Sequence, residues 1–464
     1  MPDTSVPNRR WQTQLIVPSS KPYSVLHGLF VLRQNPARWW SSQMYDEGVR
    51  KNRIAGRNFV HVARPELARI VLLDSASSFG RSFILQRVLQ PAMGNGLLTS
   101  DGEVWRRQRR LLAPVFRKNT LNQFVPAIDR HAIDCRDQLL KEDGNVASLA
   151  PITAHATLGI IFEILFGDTD MDRESVISDI DTFLTRFGKP DTLQLLGVPD
   201  YIPRFGARRS LEKIVRRLRS QCQNAIDLQR AEGRVDTGGL VGRLLSAIDP
   251  DTGDRLNDES IIDNVITFMG AGHETTAVAL AWTLYAIAHQ PTLAARLAEE
   301  SLTVLGDEPA STDIIDALTL HRQSIQESMR LYPPAAAIVR TVTKDVRVGP
   351  FELEPGDHVT IATMPMHRNP RWWPEPNVFD ETRFEPAAVA ARDRFAFLPF
   401  GDGPQICIGA TFALNEAVLI LARLTPALRF TPVDDGAEPE PILNVTLRPS
   451  DGVRLKVNRA MPQH

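Results

Sequence analysis

Cysteine, tyrosine and an excess of charge of either sign are what this chain has little of. Its 464 residues include three cysteines and five tyrosines. Cys135, Cys222 and Cys407 are far apart, odd in number, and part of no CxxC or Cys/His cluster. That argues against a disulfide framework or a structural zinc site and fits a reducing, cytoplasmic setting. A net charge of −2 and a pI near 6.6 give no global pull towards nucleic acid or an anionic membrane. The N-terminal stretch MPDTSVPNRRWQTQLIVPSSKPYS has no long apolar region behind its charges, and VLHGLFVL is far too short to span a bilayer. Neither a signal peptide nor a membrane anchor is expected.

What is present is enough apolar surface for a large core: 43% of the residues are hydrophobic and 23% charged. No repeat or low-complexity linker marks a boundary, so one large domain is expected. Helical periodicity dominates from about Leu121 to Leu305. Strand-like pieces are NFVHV, ahead of a helix opened by Pro65, and TKDVRVGPFELEPGDHVTIA, which reads as a small antiparallel sheet turning at Gly349-Pro350 and Pro355-Gly356. ILNVTLRPSDGVRLKVNRA reads as a second hairpin. The fold class is mainly α with a small β region.

Four stretches can carry chemistry. FGDGPQICIGA, Phe400 to Ala410, is no dinucleotide fingerprint, because Ile406 stands where the third glycine is required, and no Walker lysine follows. Its glycines instead free the backbone around Cys407, so that amides can point at the sulfur and a flat ligand can approach. A thiolate so placed, at the start of a helix, is a soft metal ligand; the alternative is a structural loop cysteine. FMGAGHETTAVALAWTLYAIAHQ is an apolar helix broken by Gly270, Gly272 and Glu274-Thr275-Thr276, and Ala277 removes a zinc-protease HExxH reading. A threonine hydroxyl there bonds a carbonyl one turn back or turns to a ligand.

SIQESMRLYPP sets Glu327 and Arg330 three apart on one helical face, a spacing that on a surface is worth only about 0.2–0.5 kcal/mol. LLTSDGEVWRRQRRLLAPVF opens with a capping box from Ser100 to Glu103 and places Trp105 and Arg109 one turn apart. Its arginines read as a solvated basic face or, with Trp105 and Arg109 turned inward, as a carboxylate site.

Together with MHRNPRWWPEPNVFDETRF, these stretches appear as WRRQRR, AGHETT, ESMR and FGDGPQICIG in an order and at separations by which the chain resembles the cytochrome P-450 family of haem-thiolate monooxygenases. The resemblance runs from about Arg57 to Arg459. It implies residues 57–464 as the monooxygenase domain and 1–56 as an N-terminal extension without a membrane anchor. It implies haem b with Cys407 as axial thiolate and Phe400 beside the sulfur loop. Glu274 and Thr275 match the acid–alcohol pair that organises water and delivers protons during dioxygen reduction. Glu327, Arg330 and Arg383 match a buried structural network. Trp105, Arg109 and Arg340 match haem-propionate partners, whereas Gln405 stands where the family usually carries arginine or histidine.

The resemblance further implies O2 and a hydrophobic small molecule as substrates. The contacts would come from residues 77–96, 185–200, 266–271, 335–339 and 444–447. Electrons are expected from a separate ferredoxin and ferredoxin reductase, which Arg106, Arg107 and Arg110 would face. Two other readings keep the haem: a peroxide-using or isomerising enzyme, against which the retained Glu274 and Thr275 speak, and a haem-binding or sensing protein without turnover, motivated by Gln405.

Overall fold

The computed structural model describes residues 11–13, 18–20, 25–54, 56–167, 172–187, 207–233, 239–306, 308–433 and 438–460. Expected substrate contacts at 188–200 and most of the N-terminal stretch before residue 25 lie outside the described residues.

The body is helical and its axis is the helix Asp258–Ala288, started by Asn257, whose side chain accepts from the Ser260 amide at 2.9 Å. From Ile261 onward nearly every residue of it is buried, which is why its sequence is apolar on all sides. The helix Leu149–Phe166 lies against it. Small residues and threonines permit the approach: Thr153 and Thr157 donate to the carbonyls of Ala277 and His273 at 3.1 and 3.0 Å. Among the described residues this is the one helix long and apolar enough to cross a membrane, and 67% of it is buried in the protein. Two apolar clusters flank the long helix. One gathers Trp282, Tyr332 and Leu419, with Trp282 and Tyr332 stacked at 4.0 Å; the other gathers Met93, Trp105 and Phe268.

Among the described residues the β region is distributed over four small sheets. In the largest, the strand order is Val49–Ile54, Arg57–Val62, His358–Ile361, Ile338–Val342, Phe79–Arg81. The expected boundary at residue 57 therefore falls inside a hairpin, and Trp39, Trp40 and Met44 share an apolar cluster with Val60.

The expected three-strand meander is only partly formed. Val346–Val348 pairs with Phe351–Leu353 around Gly349, but His358–Ile361 leaves to pair in parallel with Arg57–Val62 and antiparallel with Ile338–Val342. It is buried at three of four positions, so a place inside the larger sheet satisfies it better than a sheet edge. The tail likewise splits: Pro441–Leu443 pairs with Leu447–Pro449, and Arg454–Arg459 joins Leu428–Pro432 and Val146–Ser148.

Candidate active site

Cys407 sits in the turn before the helix Ala410–Leu424. Gly401 and Gly403 both have positive φ, and a side chain at Gly403 would collide with the Leu72 carbonyl, so this loop needs glycine at that point. The Cys407 amide donates to the Phe400 carbonyl at 3.0 Å, and Phe400 packs against the core under the loop. Cys135 and Cys222 are buried, and burial pushes both thiols up to about 12. Cys407 alone of the three is exposed. It is nonetheless surrounded deeply enough that desolvation raises its thiol, against the Gly409 amide and the charge of Arg109, which lower it. Accessible area combined with dense surroundings describes the wall of a recess.

The long helix borders the same recess. Between Ile261 and Ala288 the residues that are not buried are Ala271, Gly272 and Thr275, a patch at i, i+1 and i+4 on one face. Phe116 links the two sides: its ring meets Phe268 at 5.4 Å and lies 4.0 Å from where a Gly409 Cβ would be. Thr276 bonds to Glu416 of the cysteine helix, a buried carboxyl held well above the usual range by desolvation. Sequence reasoning missed Glu416, which has no signal beyond its place in an apolar helix.

Thr275 donates to the Ala271 carbonyl one turn back at 2.9 Å, the first of the two alternatives open to it, and its oxygen lone pairs remain free to accept. Glu274 is buried, with Oε1 hydrogen-bonded by Thr446 and by the guanidinium of Arg448. Its Oε2 is buried without a partner among the described residues. These partners lie more than 170 residues away, Thr446 in the bend and Arg448 in the strand Leu447–Pro449, so no local pattern announced them.

Glu327 and Arg330 are wholly buried and joined by two bonds of 2.7 Å, and Arg383 approaches Glu327 at 3.6 Å. Burial raises the Glu327 carboxyl while Arg330, the Asp380 amide and Arg383 pull it down. The bidentate geometry is that of an ion pair. The structure brings these three residues together.

Trp105 is buried and Arg109 half-buried on the helix Gly102–Leu112. Asp101 rather than Ser100 caps it, its Oδ1 accepting from the Gly102 amide at 2.9 Å, while the Ser100 hydroxyl turns to Gln108. Arg340 is buried on its strand, and Gln405 is half-buried with Oε1 enclosed and without a partner among the described residues. Of the arginines expected to face a redox partner, Arg110 pairs with Asp249 and Asp251, Arg107 with Asp249 and Asp254, and Arg106 with Glu103. Their charges are spent largely on neighbours in this chain.

An accessible thiol in a glycine loop, an acid–alcohol pair across from it and buried guanidinium groups beside it form a donor set suited to haem: a soft axial ligand and cations for two carboxylates. A family model described as cytochrome P450 matches residues 18–457, and the chain belongs to that family. Cytokinin hydroxylase of Arabidopsis thaliana is 30% identical over 403 residues, 84% of this chain and 77% of the relative. Cyclooctatin synthase of Streptomyces melanosporofaciens is 28% identical over 446 residues, 95% of each chain. The solved cytochrome P450DA heme domain has a TM-score of 0.82 at 23% identity, covering 97% of this chain and 99% of that one, a likeness of fold. Membership makes the protein a haem-thiolate monooxygenase that carries haem b on an axial cysteine thiolate and uses O2, a redox partner and a hydrophobic substrate.

Proposed function

We propose that this protein inserts one oxygen atom from O2 into a hydrophobic small molecule, by hydroxylation or epoxidation, with electrons from a ferredoxin and its reductase in the cytoplasm. The observation that carries the reading is the accessible patch Ala271, Gly272 and Thr275 on an otherwise buried helix, with the accessible thiol of Cys407 on the neighbouring element. Two of the recorded relatives are named hydroxylases. The ferredoxin and its reductase stand for the redox partner that the family uses.

Cys407 would hold the haem, with Phe400 backing the loop, and Trp105, Arg109, Arg340 and Gln405 would bind its carboxylates. When bound, haem supplies the oxygen-activating chemistry, and a thiolate ligand favours O–O cleavage by pushing electron density onto the iron. The apolar wall excludes water from the substrate side. Thr275 Oγ1–H donates its hydrogen bond to the Ala271 carbonyl, so the oxygen accepts from a water and fixes that water's orientation. Glu274 is anchored through Oε1 by Arg448 and Thr446, leaving Oε2 to exchange a proton with such a water. Glu327, Arg330 and Arg383 act by holding the segment behind the cysteine loop.

The test is oxygen incorporation from isotopically heavy dioxygen into lipophilic compounds, chosen by their spin-state change on binding, with NADH, ferredoxin and reductase present. Heavy oxygen in the product supports the reading. Peroxide-driven turnover without the electron-transfer proteins, or no turnover with any binder, contradicts it. In the same assay Thr275→Ala should lower product per NADH by on the order of tenfold, with peroxide taking up the difference.

A further inference from the structure

Arg50 lies on the edge strand Val49–Ile54, directly opposite His61 of the strand Arg57–Val62. It is 9% exposed, its guanidinium sits over the Trp39 ring at 4.9 Å, and its Nε donates to Asn52 Oδ1 at 3.2 Å. Its Nη1 is buried without a partner among the described residues, and the same holds for Asn52 Nδ2 and His61 Nδ1. No carboxylate of the described residues offsets the guanidinium, which burial pulls below its ordinary value. Burial and the charge of Arg50 hold His61 down to about 4, so its ring is neutral near pH 7 and Nδ1 donates in one of its two tautomers. Three open nitrogens on one sheet face thus gather around a single positive charge.

The same face leads away from the edge. Register sets His61 opposite Thr360 and Thr360 opposite Val339, so Arg50, His61, Thr360 and Val339 form one row across four strands. At the usual strand spacing that row is about 14 Å long. His61, Thr360 and Val339 are only half-buried, whereas Val359 and Ile361, which point to the other face, are wholly buried. Beside the row His358 packs on the rings of Phe59 and Phe83 at 4.6 and 4.9 Å, and the Phe83 amide donates to Thr341 Oγ1 at 3.2 Å. Phe83 opens the helix Phe83–Met93, and Met93 at its other end lies 2.7 Å from where a Gly270 Cβ would be, next to the accessible Ala271 of the long helix. A continuous wall joins the open nitrogens to the patch at Thr275.

A buried cation persists when an anion meets it. One charge and a neutral imidazole suit a monoanion, and two carboxylate oxygens can share Arg50 Nη1, Asn52 Nδ2 and His61 Nδ1 among them. We propose that the substrate is an amphipathic carboxylic acid, its carboxylate held by Arg50, Asn52 and His61 and its apolar chain laid along Thr360 and Val339 towards the long helix. The proposal rests on the monooxygenase reading above and names the substrate class for it.

The experiment compares decanoate with 1-decanol, which has the same chain without the charge, by titration calorimetry and by spin-state change in the purified holoenzyme. The parent protein should bind decanoate on the order of tenfold to a hundredfold more tightly than decanol, the range of one charge-assisted hydrogen bond. Arg50→Gln should remove that advantage and leave decanol binding unchanged, and Arg50→Lys should keep part of it. Inorganic phosphate at equal concentration should not displace decanoate.

Equal affinity of the parent for acid and alcohol overturns the proposal, as does an equal loss of both in Arg50→Gln, which would mark Arg50 as structural. Displacement by phosphate, or decanoate binding that depends on Arg50 without any spin-state change, overturns it too, because the site would then hold free anions apart from the substrate pocket. Should Arg50→Gln not fold, Asn52→Leu makes the same comparison with the cation kept, and about a fivefold loss for decanoate alone is expected. Failure of the underlying reading is distinguishable, because the parent would then lack the red-shifted carbon monoxide band of thiolate ligation while the calorimetric comparison stays readable.

Discussion

Around Arg330 all five N–H donors of the guanidinium have acceptors: both oxygens of Glu327 and the carbonyls of His367, Pro376 and Val378. Around Arg81 the guanidinium faces Arg340 and Arg109, and its Nε has no acceptor among the described residues. Both groups are buried, and a sequence shows each only as arginine. The difference is one of completion. A saturated buried cation has its counter-charge within the chain and serves the fold, whereas an unsaturated one keeps its desolvation cost open until a ligand brings the counter-charge. Arg448 is intermediate, paired to Oε1 of Glu274 beside an Oε2 that remains open.

The largest effect should come from breaking the saturated group. Glu327→Ala leaves Arg330 buried without its carboxylate, and the loss expected is about 3–5 kcal/mol of unfolding free energy. Urea titration of the purified protein checks it, and little folded protein at all is consistent with the upper end. Arg448→Ala should cost less, about 1.5–3 kcal/mol, the worth of a charge-assisted bond. A urea midpoint that does not move would place that pair among the ornamental ones.

Arg340→Ala sharpens the contrast from the other side. Removing a buried cation whose guanidinium bonds a carbonyl and has no carboxylate ion pair among the described residues should leave the urea midpoint of haem-free protein unchanged or higher, while the holoenzyme loses haem faster. A drop as large as that of Glu327→Ala would erase the distinction between the two groups.

The last effect concerns acid. Burial holds His358 down to about 4 and His367 down to about 3, and His367 Nε2 accepts the Leu398 amide at 2.9 Å, which requires that nitrogen unprotonated. Both folded values lie below the ordinary histidine value of about 6.5, so the unfolded chain binds more protons in the interval between. Stability is then complete above pH 6.5 and falls as the pH drops towards 4, by at most about 1.4 kcal/mol per pH unit for each group. His367→Gln, whose amide oxygen can accept the same bond, should make the urea midpoint less steep in pH across that window.

Much of this site was legible because it is local. The glycines around Cys407, the i, i+3 spacing of Glu327 and Arg330, and Glu274-Thr275 within an apolar helix each occupy one short stretch. What the sequence hid was pairing across distance. Arg448 reaches Glu274 from a separate strand segment, and His358–Ile361 chooses a parallel partner near residue 60 over the hairpin its turn residues suggested. Asp101 displaced Ser100 as the helix cap because its other oxygen is needed to hold Arg81. Arg81 itself has no motif, and its place opposite Arg340 follows only from the strand register.

The account turns on Cys407 as the haem ligand, and the spectrum of the reduced carbon monoxide complex tests that most directly. The parent protein should show the strongly red-shifted band of thiolate ligation, and Cys407→His should move the band to the position of imidazole-ligated haem. A correctly folded parent protein that binds haem yet shows the imidazole-type band would contradict the assignment.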